Sequence, residues 1–118
     1  DRENPERPAA KGLEYIQKAL EFNPSDKDAL TALGLIYYKR GAYDRAIETF
    51  YLIVKSSDDG KIAGDAYNNI GKAHFKKAEY REALRAFNLG VESDPSNEEI
   101  RMNRKAASQA YENTLKTY

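Results

Sequence analysis

Apolar residues recur three and four positions apart along most of this chain. Leu30, Leu33 and Tyr37 are followed by Ile47, Phe50 and Val54, then by Tyr67, Ile70 and His74, and then by Leu84, Phe87 and Val91. That period belongs to amphipathic helices, and no alternating strand pattern competes with it. Six helices are predicted, over 9–22, 26–40, 43–56, 61–77, 80–93 and 97–116. Pro24 and Pro95 stop two of them, because proline cannot continue a helix. Ser25-Asp26-Lys27-Asp28 and Ser96-Asn97-Glu98-Glu99 both have the Ser-x-x-acid form of a capping box, which places a helix start after each proline. The last helix carries a narrow stripe of Ile100, Ala107, Tyr111, Leu115 and Tyr118 among charges. A terminal helix has that shape when one face covers the stack and the other meets water.

The pattern is also repeated. Laying the segment from Lys27 over the one from Gly64, at an offset of 37 residues, gives ten identical pairs within 34 positions. They are Asp28/Asp65, Ala29/Ala66, Gly34/Gly71, Lys39/Lys76, Tyr43/Tyr80, Ala46/Ala83, Phe50/Phe87, Leu52/Leu89, Val54/Val91 and Ser56/Ser93. The unit itself is 34 residues, so three surplus residues fall in Ser56-Ser57-Asp58-Asp59-Gly60-Lys61, as a loop or a lengthened helix start. A half unit precedes both, since Gly12, Ile16, Ala19 and Pro24 stand in register with Ala46, Phe50, Ile53 and Asp58. Only its second helix is present. Gly34 and Gly71 lie mid-helix, where glycine costs about 1 kcal/mol against alanine, so close approach of a partner helix is expected there. Ala46 and Ala83 are the small residues expected across that crossing, with Phe50 and Phe87 filling the groove between repeats.

A 34-residue helix-turn-helix unit with Leu33-Gly34 and Tyr37 in one helix, then Tyr43, Ala46 and Phe50, resembles the tetratricopeptide repeat family. The second unit matches through Ile70-Gly71, Tyr80, Ala83, Phe87 and Pro95, with His74 where tyrosine is usual. The resemblance implies an all-α fold of antiparallel helix hairpins stacked into a right-handed superhelix. The chain then parses as one domain over 1–118. It contains a second helix of a partial repeat (9–26), repeats at 27–60 and 61–97, and a C-terminal capping helix at 98–118.

Composition narrows the chemistry. The 118 residues balance 19 Lys and Arg against 19 Asp and Glu, whereas a nucleic-acid module would carry a basic excess. The longest apolar run, Ala32 to Tyr38, is far short of the roughly 18 residues of a membrane span. With no cysteine, disulfides, thiolate metal sites and cysteine nucleophiles are excluded, and the redox compartment stays open. The first residue is Asp1 and not methionine, which fits a trimmed or processed chain.

In the resembled family the ligand surface is the concave face lined by first helices. Matching positions one by one selects Asp28, Thr31, Ala32, Leu35, Tyr38 and Lys39, then Asp65, Asn68, Asn69, Lys72, Phe75 and Lys76, and from the last helix Glu99, Met102, Asn103 and Ala106. Thr31, Leu35, Tyr38, Lys39, Asn68, Asn69, Lys72, Phe75, Lys76 and Asn103 are the candidate partner-binding residues among them. Tyr38 and Phe75 would offer apolar contact, the asparagines amide donors and acceptors, and the lysines cations. Some family members grip a peptide's terminal carboxylate with lysine, asparagine and arginine on successive first helices. Asn69 fits that set, but Thr31, Leu35, Glu99 and Asn103 stand where its other members are needed, so the clamp is rejected.

Other motifs reduce to structure. Asp28, Asp65 and Glu99 are expected in the first turns of their helices, where the dipole favours carboxylates. His74 is expected to be a packed histidine in the place of Tyr37, without metal. Asp58-Asp59-Gly60 lacks the acid that a calcium loop requires five residues before its glycine, since Lys55 stands there, and reads as a turn. Asn23-Pro24-Ser25 fails as a glycosylation site because of its proline. Lys76-Lys77 with Arg81 and Arg85, and Arg101 with Arg104 and Lys105, are interleaved with acids and read as solvated faces. With no second histidine, no cysteine and no phosphate loop, no enzyme activity, cofactor or metal is expected. The expected function is a scaffold that binds a protein or peptide partner, with no nucleic acid and no membrane insertion. The alternative is self-assembly through the terminal helices, above all through Leu13, Ile16 and Leu20 of the first one.

Overall fold

The computed structural model describes residues 7–116, with side chains described from Gly12 onward. Six helices follow one another: α1 (Arg7–Phe22), α2 (Lys27–Lys39), α3 (Tyr43–Ser56), α4 (Gly60–Lys76), α5 (Tyr80–Ser93) and α6 (Glu98–Leu115). The described residues contain no strand. Residues 1–6 of the expected domain and Tyr118 of the terminal stripe lie outside the described residues.

The helix starts differ from the expected capping boxes by one residue. Asp26 accepts from the Ala29 backbone N–H at 3.0 Å, and Asn97 from that of Ile100 at 3.2 Å. Ser25 and Ser96 instead fill turns, closed by Asp26 N–H to Asn23 C=O at 3.0 Å and Asn97 N–H to Asp94 C=O at 3.1 Å. Asn or Asp first and proline second is the favoured order of a type I turn, so serine takes its third place and the next residue caps. Asp59, expected only as a turn residue, caps α4 by accepting from Lys61 and Ile62 N–H.

Each helix packs on the next, and α2 with α3 and α4 with α5 form antiparallel hairpins whose buried faces merge into one helical-repeat solenoid. Leu30, Ala46, Phe50, Ile53, Ile70 and Ala73 form the centre of the core, and Phe87, Ile100 and Ala107 join α5 to α6. The atoms nearest the mid-helix glycines belong to aromatic rings. A Cβ on Gly34 would lie 2.4 Å from the Phe50 ring, and one on Gly71 2.5 Å from the Phe87 ring. Phenylalanine therefore fills the crossing inside each hairpin, while Ala46 and Ala83 are fully buried in the surrounding core.

The three surplus residues, with one more taken from a loop that is one residue shorter, lengthen α4 to 17 residues against 13 in α2. The added turn runs along the end of α5 so closely that a Cβ on Gly60 would lie 2.4 Å from the Ser93 carbonyl oxygen, and one on Gly64 2.8 Å from the Asp94 Cβ. This extension also leaves Asp65 beyond the first turn of α4, so the expected dipole role fails for it but holds for Asp28 and Glu99. In α6, Ile100 and Ala107 are buried but Leu115 is exposed. At 18 residues α6 outruns the 14 of α5, and its last turn has no helix opposite.

The turns inside the two hairpins share one backbone path. Gly41 has φ +77° and its counterpart Ala78 has φ +60°. The left-handed region costs a non-glycine residue about 1–2 kcal/mol, so Ala78→Gly is expected to raise stability by about 1 kcal/mol, read as a higher urea midpoint. An unchanged or lower midpoint would show that the turn is not strained.

Candidate functional site

Residues three and four apart share one helix face, and on α2, α4 and α6 one such face remains open to solvent in two depressions. The first, of about 410 Å³, lies between the N-terminal halves of α2 and α4. Lys27, Asp28, Thr31, Ala32 and Leu35 line one side, Asp65 and Asn69 the other, and Ile53, Ile62 and Ala66 give it an apolar floor. The second, of about 150 Å³, lies toward the C-terminal ends of these helices, where Tyr38, Lys72, Phe75, Lys76, Asn103 and Ala106 surround Phe87.

Eight of the ten candidate residues thus line one depression or the other. Lys39 is exposed beside them but lines neither. Asn68 is a correction, because it is 7% exposed and its amide is already engaged. Its Nδ2 donates to Glu99 Oε2 at 2.9 Å, and Asn103 Nδ2 donates to its Oδ1 at 2.9 Å. Asn68 and Glu99 therefore tie α4 to α6, and this tie holds Asn103 at the second depression. Met102 is exposed along α6 and lines neither space.

The aromatic rim is built twice in the same way. Tyr38 meets Tyr43 edge-on, with centroids 5.4 Å apart, and Phe75 meets Tyr80 at 5.0 Å. Such edge contacts hold both rings in place across the hairpin turn. Burial, and then Tyr43, raise the Tyr38 hydroxyl above its ordinary pKa. Helical period assigns Phe87 to packing alone and gives Ile53 no role in a site. They belong to both the core and the site, and only their depth beneath a gap between first helices reveals it.

Charge divides the face. Asp28 and Asp65 stand at the first depression with a single lysine, Lys27, and the Asp65 carboxyl titrates above its ordinary value through burial and then the nearby charges of Asp94 and Glu99, offset in part by Lys61. Lys72 and Lys76 stand at the second, which no acid lines.

His74 does occupy the place of Tyr37 and is largely buried, but its Nδ1 lies 2.7 Å from Glu79 Oε1. Lys77 pairs with Asp44 and, at 3.2 Å, with Glu79. Lys77 is exposed, as expected of that basic stretch, and its surface ion pairs join the α4–α5 turn to α3. The hydrogen bond from His74, followed by Lys77, holds Glu79 below the ordinary carboxylate range. Among the described residues, no group of three or more His, Asp or Glu side chains is placed to hold a metal ion.

Profiles of the tetratricopeptide repeat family match residues 9–61 and 64–97. Over 38 residues the chain is 45% identical to BBSome complex member BBS4 of Bos taurus, a stretch that covers 32% of this chain and 7% of that protein. Tetratricopeptide repeats are in general protein–protein interaction modules and non-enzymatic scaffolds. No helix among the described residues is long and apolar enough to cross a membrane. Two consecutive profile matches, the repeated glycine–phenylalanine crossings and the stacked hairpins together make this chain a member of the tetratricopeptide repeat family.

Proposed function

We propose that this domain is a non-enzymatic scaffold that binds an extended peptide segment of a partner protein across the face of α2, α4 and α6. The observation that carries this reading is the pair of apolar-floored depressions on one face, each rimmed by polar side chains that the fold leaves available. Hydrophobic floors supply affinity, and sparse polar groups at the rim fix orientation. Affinity capture from lysate with the intact domain, compared with its Lys72→Ala/Phe75→Ala variant, tests it. Bound proteins should be lost with the variant while its circular dichroism is unchanged; a binding profile that ignores both substitutions would overturn it.

A second reading, self-assembly, rests on α1. Tyr15 is 77% exposed and Phe22 94%, whereas Thr49 and Ala86, in register with Tyr15 in α3 and α5, are 6% and 3% exposed. Those two are covered by the first helix of their own hairpin, which α1 lacks among the described residues. The exposed strip is not the expected Leu13, Ile16 and Leu20, because Ile16 is buried and Leu20 packs on the core. Arg101, Arg104 and Lys105 on α6 stand in register with Tyr67, Ile70 and Gly71 of α4, so α6 is a charged cap and does not suit head-to-tail stacking. The remaining arrangement is two-fold, α1 against α1. Tyr15→Glu/Phe22→Glu should abolish any dimer seen by light scattering and leave helicity intact. A strict monomer at high concentration would remove this reading.

A further inference from the structure

We infer that the two depressions read charge order: the bound segment is internal to its chain and carries a cationic side chain about three residues from an apolar or aromatic side chain, which is itself followed by carboxylates. The inference rests on the peptide-binding reading above and names its ligand. The first depression faces the cation. Asp28 and Asp65 outnumber Lys27 in its lining, and Asp94 and Glu99 add to the negative field at Asp65 against Lys61. Its apolar floor of Ile53, Ile62 and Ala66 suits the methylene stem of an arginine or lysine, which buries its chain while its head stays at the wet rim.

The second depression faces the apolar side chain and the acids. A space of about 150 Å³ is the size that accepts a benzene ring in a dry protein cavity, and Phe87, Phe75 and Tyr38 enclose it with aromatic surface. Lys72 and Lys76 stand beside it, and among the described residues neither is in an ion pair. Asp65 at the first depression and Phe75 at the second are ten residues apart on α4, about 15 Å at 1.5 Å per residue. Three residues of extended backbone cover about 10 Å of that distance, and the long stem of the cationic side chain reaches the rest. An internal segment is favoured over a chain terminus because Thr31, Leu35 and Glu99 stand where a terminal-carboxylate grip would need lysine and asparagine.

Fluorescence anisotropy on the whole domain tests this with labelled peptides blocked at both ends. The probes are Arg-Ser-Ser-Phe-Glu-Glu, the charge-exchanged Glu-Ser-Ser-Phe-Arg-Arg, each in both chain directions, and Arg-Ser-Ser-Gly-Glu-Glu. The first sequence, in one direction, should bind at least about tenfold tighter than either exchanged one, since like charges facing each other are rejected at interfaces. Loss of the phenylalanine should weaken it by a similar factor. Asp65→Asn should weaken binding of this peptide but not of its Arg→Ser analogue, and Lys72→Ala/Lys76→Ala should weaken both. Equal or tighter binding of the charge-exchanged peptides overturns the charge order and leaves the peptide-binding reading standing. Absence of binding by every peptide overturns the inference, while the lysate comparison decides the reading by itself.

Discussion

Gly71→Ala is expected to destabilise the domain by about 1–3 kcal/mol, the range of overpacked cores, although alanine is favoured over glycine by about 1 kcal/mol inside an ordinary helix. The sign reverses because the added Cβ would lie 2.5 Å from the Phe87 ring. That ring is only 2% exposed, and it must shift from its packed position for the Cβ to fit. The same substitution at Gly34 meets the Phe50 ring and should behave alike. Urea unfolding of Gly71→Ala, Phe87→Leu and the double variant separates the contact from general helix propensity. Phe87→Leu removes the ring edge, so Gly71→Ala should cost less in that background, or become favourable. Coupling of this kind is expected only between residues in contact. A Gly71→Ala protein with a raised urea midpoint would show that the ring gives way, and that glycine is not required at the crossing.

The repeat made most of this architecture legible. Identical residues 37 positions apart place equivalent side chains at equivalent depths, so Phe50 and Phe87, Ala46 and Ala83, and Tyr43 and Tyr80 recur in matching surroundings. What the repeat does not encode is where the copies differ. The three surplus residues fall before Asp65 and become helix, which moves Asp65 into a second turn beside Asp94 and Glu99. No comparison with Asp28 reveals that. Pairings between copies were equally hidden: Lys77 with Asp44, and Asn68 with Glu99 and Asn103, are 31 to 35 residues apart in sequence. Helical period assigns a residue to a face, but the neighbouring helix decides whether that face is groove or seam. Asn68 and Asn69 are adjacent, yet Asn68 lies in the seam with α6 and Asn69 lines the first depression.

That seam carries the second large effect. Asn68→Ala is expected to cost about 2–4 kcal/mol, since it removes one hydrogen bond to a carboxylate and one between amides and leaves their partners short of a neighbour. The loss should not spread evenly. Ile100 and Ala107 still bury α6 against α5, so helicity persists while the α4–α6 seam loosens. Hydrogen exchange should then report earlier opening of α6 than of α2–α5, because α6 has no following helix in the described structure. Function should follow by an indirect route. Asn103 and Ala106, carried by α6, form one wall of the second depression, so a ligand that seats there should bind more weakly to Asn68→Ala although Asn68 is buried beneath it. Asn68→Asp sharpens the test by placing a second carboxylate against Glu99, which should cost more than alanine at neutral pH and recover as acid protonates the pair. Should α6 exchange no faster in Asn68→Ala than in the parent, the asparagine tie is not what holds the last helix, and the wall of the second depression stands on apolar packing alone.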